Sequence, residues 1–233
     1  MNTAVSQLPV SAIDADARAS FVLRTYIHLF GAILLFVAIE AYIFTSGLAE
    51  PIATTLLNMP GGWLVVLGGF VVVSWIASRV AATASSSFAQ YAALGGFVLA
   101  EAIIFVPLLF MAAYYSGDPG MINKAAWVTL MGFTGLTAIA VLTLKDFSFL
   151  GGLLRWGFIV AIVLFVAGVL FSFELGTFFA VAMIGLAGAA ILYDTSNILH
   201  HYPEDKHVAA SLQLFASVAL MFWYVLRLFL SRD

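Results

Sequence analysis

Seven long apolar runs follow one another along this chain, and they limit its fold more than any other feature. A helix needs about 20 apolar residues to cross a bilayer, and each run has about this length. Lipid offers the backbone no water to bond with, so each run is predicted to be helical. The alternating pattern of transmembrane barrel strands is absent. The runs cover roughly residues 21–46, 62–80, 87–114, 121–144, 149–172, 176–199 and 208–230.

The composition agrees with a lipid environment. Charged residues make up 9% of the chain and hydrophobic residues 64%, whereas soluble domains carry about 25% charged residues. Too few charges remain to cover a water-facing surface. The sequence therefore predicts an all-α polytopic membrane protein in contact with the lipid bilayer. It divides into a disordered cytoplasmic tail over residues 1–20 and a single seven-helix transmembrane domain over residues 21–233.

Several function classes are excluded by what the sequence lacks. The net charge is −3 and no basic cluster is present, so nucleic acid is not expected as a partner. There are no cysteines, and none of the motifs HExxH, GxSxG, GxGxxG or the P-loop occurs. His200, His201 and His207 lie in a polar link with no spacing that fixes them on one face, which favours a solvated loop over a metal site. Neither an enzyme nor a cofactor is expected.

Lysine and arginine placement predicts the orientation, because cytoplasmic loops carry an excess of these residues. With the amino terminus in the cytoplasm, six of them fall at cytoplasmic ends and three at outer ends. We therefore expect a multi-pass protein of the cell inner membrane with a cytoplasmic amino terminus. The six are Arg18, Arg24, Arg79, Lys145, Arg155 and Lys206, and the three are Lys124, Arg227 and Arg232.

Two acids interrupt the first and third apolar runs. An unpaired charge at the centre of a spanning helix costs about 2.5–3.5 kcal/mol on insertion scales. Glu40 lies near the outer end of the first run, where its side chain could reach the interface or serve a function. Glu101 lies in mid-span, six residues before Pro107, which frees a backbone carbonyl one turn back. Carboxylate and carbonyl oxygens both bind cations, so Glu101 is either part of an ion pathway or a hydrogen-bonded structural acid.

Asp194 is the strongest candidate for a functional residue. It lies near the cytoplasmic end of the sixth run, directly after the small-residue segment 185–190 (GLAGAA). Small residues let helices approach closely, which predicts an interior position for this run. Ala187, Ala190 and Asp194 share one helix face, so Asp194 is expected to face packed protein. It is either a gate or ion-pathway residue, or one half of a structural salt bridge to a basic residue such as Arg79.

Several segments resemble the Bax inhibitor-1 family, in its bacterial branch. They are LKDFSFLGGLL (144–154), ILYDTSNILHHYPEDKHVAASLQLF (191–215) and YVLRLF (224–229), with further similarity at 21–35 and 105–129. Each motif is short, but together their order and spacing are fairly specific. The resemblance covers most of the chain from about residue 21.

The resemblance implies a seven-helix fold with the last helix in the middle of the bundle. It also implies a pH-sensitive calcium leak or, in bacterial members, modulation of a membrane-bound AAA protease and of stress tolerance. The family's Tyr-Asp-Thr aspartate, one half of a carboxylate pair that latches the pore, matches Asp194. The basic residue that ends the second span matches Arg79. The second carboxylate should stand ten residues before Arg227, where this chain has Ser217.

Two functions remain open on these grounds. The first is a cation leak, with calcium as the expected ion, in which Glu101 and Asp194 attract the ion. Asp194, Arg79 and Ser217 would then close the cytoplasmic side. The second is a regulatory partner of a membrane-bound protease, with contacts through residues 1–20 and the polar link HHYPEDKH (200–207). The serine at position 217 weakens the case for a pH-sensitive cation leak, because a single carboxylate cannot titrate as a coupled pair.

Overall fold

A computed structural model describes residues 9–59, 61–84, 86–171 and 175–231, and these residues form eight α-helices. Seven of the helices are long and apolar enough to cross a membrane. The fold is thus the all-α membrane bundle that the sequence predicts. The helices are α1 Ala15–Thr45, α2 Ala49–Asn58, α3 Gly62–Thr83, α4 Ser87–Tyr114, α5 Met121–Thr143, α6 Leu150–Leu170, α7 Gly176–His200 and α8 His207–Leu230.

The extra helix is α2, which lies between the first two apolar runs. Its proline, Pro51, is third in the helix, within the first turn, where backbone N–H groups have no partner inside the helix. Ala49 and Ala53 are buried together with Ile43 and Val106. A proline near the start therefore does not prevent this helix, and its small apolar side packs on α1 and α4.

The amino-terminal segment also differs from the expected disordered tail. Residues 1–8 lie outside the described residues, but Val10–Ala12 form a turn of 3-10 helix and α1 begins at Ala15. The carboxylate of Asp14 accepts a hydrogen bond from the backbone N–H of Ala17 and so caps α1. This cap allows α1 to extend about two turns beyond the apolar run.

Helix α8 is the centre of the bundle, as the family resemblance implies. It packs against α1, α3, α4, α5 and α7, and most of its residues are buried. Helix α6, in contrast, packs chiefly on α7 and is mostly exposed. An exposed apolar helix at the edge and a buried helix in the centre are what a bundle surrounded by lipid requires.

Two glycines allow α5 and α7 to approach α8 closely. A Cβ atom on Gly132 would lie 3.3 Å from Met221 Sδ of α8, and one on Gly188 would lie 3.6 Å from Met221 Cε and 3.2 Å from Leu136 Cδ1 of α5. Close approach through small residues is a common basis of helix association in membranes. The contact lies one turn from Ser217, so it sets how near α7 and α8 come at that residue.

The two sides of the bundle carry different connections. The N-terminal side holds the amino-terminal segment and the links α3–α4, α5–α6 and α7–α8. The C-terminal side holds α2, the links α4–α5 and α6–α7, and the end of α8.

Candidate functional site

Asp194 and Ser217 meet between α7 and α8. The Ser217 hydroxyl donates a hydrogen bond to Asp194 Oδ2 at 2.5 Å, and both side chains are buried. The predicted face of α7 is also confirmed, since Ala187 and Ala190 are buried with Asp194. A hydrogen bond to a buried carboxylate offsets part of the cost of removing its charge from water. The serine therefore holds the single carboxylate of this site in place.

The α5–α6 link covers the same end of α7. The Ser196 hydroxyl, fully buried, accepts a hydrogen bond from the Phe147 N–H at 2.8 Å and donates one to Asp146 Oδ1 at 3.3 Å. The Ser148 N–H also donates to Asp146, at 2.8 Å, and this bond together with the Ser196 hydroxyl lowers the pKa of Asp146. At Ser196, two residues beyond Asp194, α7 is thus hydrogen-bonded to the α5–α6 link.

The amino-terminal segment covers the end of α7 from another direction. The Val10 N–H donates to the Tyr202 carbonyl at 2.9 Å, and the Val10 side chain is fully buried. The Phe21 ring packs on the Tyr202 ring with 6.5 Å between centroids. Burial raises the pKa of Tyr202. Residues 9–21 therefore form a strap over the α7–α8 link.

Lys206 fixes the far end of that link. Its ammonium group donates to the Ala84 carbonyl at 2.6 Å, at the carboxyl end of α3. A cation is favourable at this position, because unpaired carbonyls leave the end of a helix partly negative. The α7–α8 link is therefore held by α3 on one side and by the strap on the other. The strap, the α5–α6 link and the α7–α8 link thus cover the end of α7 that carries Asp194.

Arg79 does not join this site. Its guanidinium lies 5.6 Å from the centre of the Trp75 ring, one turn back on α3, and its side chain is exposed. Within the described ranges it has no ion pair with Asp194 or any other carboxylate. The neighbouring Ser78 faces the bundle instead and lies 3.3 Å from Gln213 of α8. The structure does not bring Arg79 to Asp194, because a step of one residue turns a helix by about 100° and Ser78 occupies the inward-facing position.

Glu101 is fully buried in the middle of α4, which continues without a break through Pro107. Neither carboxylate oxygen has a hydrogen-bond partner among the described residues. One turn to each side, Phe97 packs on Phe215 and Phe105 on Trp223. Since residues four apart share a face, Glu101 faces α8 between these aromatic contacts.

Two other expectations about polar residues differ from the structure. Glu40 is buried against the α2 side of the bundle rather than extended to the interface, and its oxygens have no partner among the residues described. His207 packs on His28 with 5.0 Å between ring centroids, and His28 Nε2 is bonded to the Tyr91 hydroxyl at 2.8 Å. No group of three potential metal ligands occurs in the described part of the chain.

Sequence reasoning missed the contacts around Asp194 that come from distant segments. Ser196 and Asp146 are 50 residues apart, and Val10 and Tyr202 are farther still. The polarity of the run Asp194-Thr195-Ser196 was the available signal. Three consecutive buried polar residues at a helix end require partners from elsewhere in the chain.

A family model described as Inhibitor of apoptosis-promoting Bax1 matches residues 18–233. The chain belongs to this Bax inhibitor family. The match includes Arg79, Glu101, Asp194 and Ser217 and nearly all of the seven long helices, and it begins within α1, after Val10 of the strap. Membership agrees with the central position of α8.

Curated relatives place the chain beside bacterial inner-membrane proteins. It is 29% identical over 188 residues to the modulator of FtsH protease YccA of Escherichia coli, covering 78% of this chain and 82% of the relative. An uncharacterised protein of Pseudomonas aeruginosa is 27% identical over 94% of this chain and 93% of its own length. Bax inhibitor 1 of Schizosaccharomyces pombe is 32% identical over 59% and 48%. The chain is thus a multi-pass inner-membrane member of its family.

Proposed function

We propose that this protein modulates a membrane-bound AAA protease of the FtsH type and catalyses no reaction of its own. The observation that carries the proposal is the similarity to the modulator of FtsH protease YccA, which extends over most of both chains. The protein would act from within the bilayer as a binding partner of the protease. Its amino terminus would lie in the cytoplasm, where the lysine and arginine excess falls.

The N-terminal side of the bundle supplies a surface for such a partner. The strap and the α7–α8 link form one continuous structure, joined by the bond from Val10 to Tyr202 and by the bridge between Pro9 and Pro203. Exposed acids, Asp16 on the strap and Glu204 on the link, lie on this side. We infer that a protease subunit meets this surface with basic or hydrogen-bonding groups.

The test is the turnover of a membrane protein substrate in cells that lack this chain and then regain it. We expect restoration of the wild-type chain to slow turnover. The double variant Asp16→Lys, Glu204→Lys should lose this effect while accumulating normally in the membrane. Glu50→Lys, an exposed charge reversal of the same sign on the C-terminal side, is the matched control and should behave as wild type. Equal turnover with and without the wild-type chain would overturn the proposal.

A cation leak is the second candidate, and one observation favours it. Two buried acids, Asp194 and Glu101, face the central helix from α7 and α4. Buried carboxylates in a membrane bundle commonly mark ion or proton pathways. Calcium is the ion that we would test first, since carboxylate oxygens suit it.

Reconstitution into liposomes loaded with a calcium dye separates this candidate from the first. A leak through the core predicts flux above that of protein-free liposomes and a changed pH response in Asp194→Asn. Glu50→Gln, an exposed acid of α2, serves as the control and should leave the flux unchanged. Absence of flux between about pH 5 and pH 8 would remove the leak and leave the protease proposal standing.

A further inference from the structure

A cavity of about 460 Å³ opens on the C-terminal side, between α4, α6, α7 and α8. Its walls are mainly apolar and include Leu108, Phe165, Val169 and Ala180. Ligand sites in proteins typically measure about 300–1,000 Å³ and are lined mainly by hydrophobic side chains. The cavity therefore has the size and the wall chemistry to hold a hydrocarbon chain.

Arg227 is the charged residue that lines this cavity. It stands three residues before Leu230, the last residue of α8, and its side chain is half-buried. Across residues 9–59, 61–84, 86–171 and 175–231, no carboxylate lies within ion-pairing distance of its guanidinium. A cation in apolar surroundings is costly unless an anion accompanies it. The cavity thus combines an apolar wall with one positive charge near its mouth.

The charged and the apolar lining residues of the cavity lie at different depths in the bundle. Arg227 is within one turn of the end of α8, at the level where a bilayer places its headgroups. Leu108 is six residues before Tyr114, which puts it about 9 Å from the end of α4 at 1.5 Å per residue, whereas Arg227 is about 4.5 Å from the end of α8. Charge at the mouth and hydrocarbon below match the order of groups in a lipid.

We propose that this cavity binds an anionic phospholipid of the bilayer, with its phosphate on Arg227 and an acyl chain along the wall of α4, α6 and α7. The planar guanidinium offers paired donors that match phosphate oxygens. A lipid with net negative charge is preferred over a zwitterionic one, because the cationic headgroup of the latter would lie near the arginine. The proposal is independent of the protease and leak functions.

The test compares two lipids that differ only in the headgroup. The purified full-length protein in detergent is titrated with phosphatidylglycerol or with phosphatidylcholine of the same acyl chains, and the rise in melting temperature is followed. We expect half-maximal stabilisation by phosphatidylglycerol at a concentration about tenfold lower. Arg227→Gln should remove this difference, and Arg227→Lys should keep part of it. Arg155→Gln is the matched control, because Arg155 is exposed on α6 at the other end of the bundle.

A second variant tests the acyl chain without touching the charge. Val169→Phe adds bulk to the wall of the cavity and should weaken stabilisation by both lipids alike. Equal stabilisation of the wild type by the two lipids would overturn the proposal. So would a preference for phosphatidylglycerol that survives in Arg227→Gln, or one that Arg155→Gln removes equally.

Discussion

Asp194 and Glu101 are both buried acids that face α8, but their surroundings differ. Asp194 has a hydroxyl donor in Ser217, and three chain segments close over the end of its helix. Glu101 lies between aromatic contacts, with no partner for its carboxyl oxygens among the described residues. The first acid is built into a fixed network, whereas the second has no local interaction to keep it charged. The difference is between a buried carboxyl group that a hydrogen-bond donor holds in place and one that has no such donor among the described residues.

The largest effect is expected from placing a second carboxylate beside the first. Ser217→Asp replaces a hydrogen-bond donor with a like charge, so the free energy of unfolding should fall by about 3–5 kcal/mol near pH 8. The loss should be smaller near pH 5, where two carboxylates can share a proton. Thermal unfolding in detergent at both pH values measures it. Ser217→Asn is the neutral control, and a loss of the same size at both pH values would contradict the description of this site.

A smaller effect of opposite sign is expected at the other acid. Glu101→Met removes two unpartnered oxygens and keeps the volume, so it should raise the free energy of unfolding by about 1–3 kcal/mol. Chemical denaturation in mixed micelles is the measurement. Glu50→Met, at an exposed site on α2, should stay within about 0.5 kcal/mol of wild type. Destabilisation by Glu101→Met would show that Glu101 is held by interactions like those of Asp194.

The smallest effect is expected at Asp146, in the exposed α5–α6 link that covers the end of α7 near Asp194. Hydrogen bonds from Ser148 and Ser196 lower the folded-state pKa of Asp146, so the folded state favours its charged form. This stabilisation is present above the ordinary aspartate pKa of about 3.9 and is lost as pH falls through the lower folded value. Asp146→Asn should therefore have a lower melting temperature than wild type at neutral pH, with the gap closing in acid. A difference in melting temperature that keeps the same size from neutral to acid pH would contradict this role for Asp146.

Much of the bundle follows from the sequence alone. The seven apolar runs predict the seven long helices, because in lipid hydrophobicity and backbone hydrogen bonding leave little choice. The pairing of Asp194 with position 217 follows from the family's spacing before Arg227. Burial of Asp194 follows from the small residues on its helix face.

The positions of Arg79 and Glu40 and the contacts of the strap could not be predicted from the sequence, and the reasons are physical. In a membrane helix the lipid-facing and the core-facing sides are both apolar, so the sequence of α3 does not show that Ser78 faces inward and Arg79 outward. In the same way, the apolar surroundings of Glu40 do not distinguish burial from a position at the interface. The strap and the Asp146 link depend on pairings between distant segments, which no local pattern predicts.

The most direct test of the central claim is a double-mutant cycle at the hydrogen bond between Ser217 and Asp194. The free energy of unfolding is measured for wild type, Ser217→Ala, Asp194→Ala and the double variant, all in the same detergent. We predict a coupling of about 1.5–3 kcal/mol, as expected for a hydrogen bond to a charged group. Additive losses, with a coupling within about 0.5 kcal/mol of zero, would contradict the claim that Ser217 holds Asp194 in place.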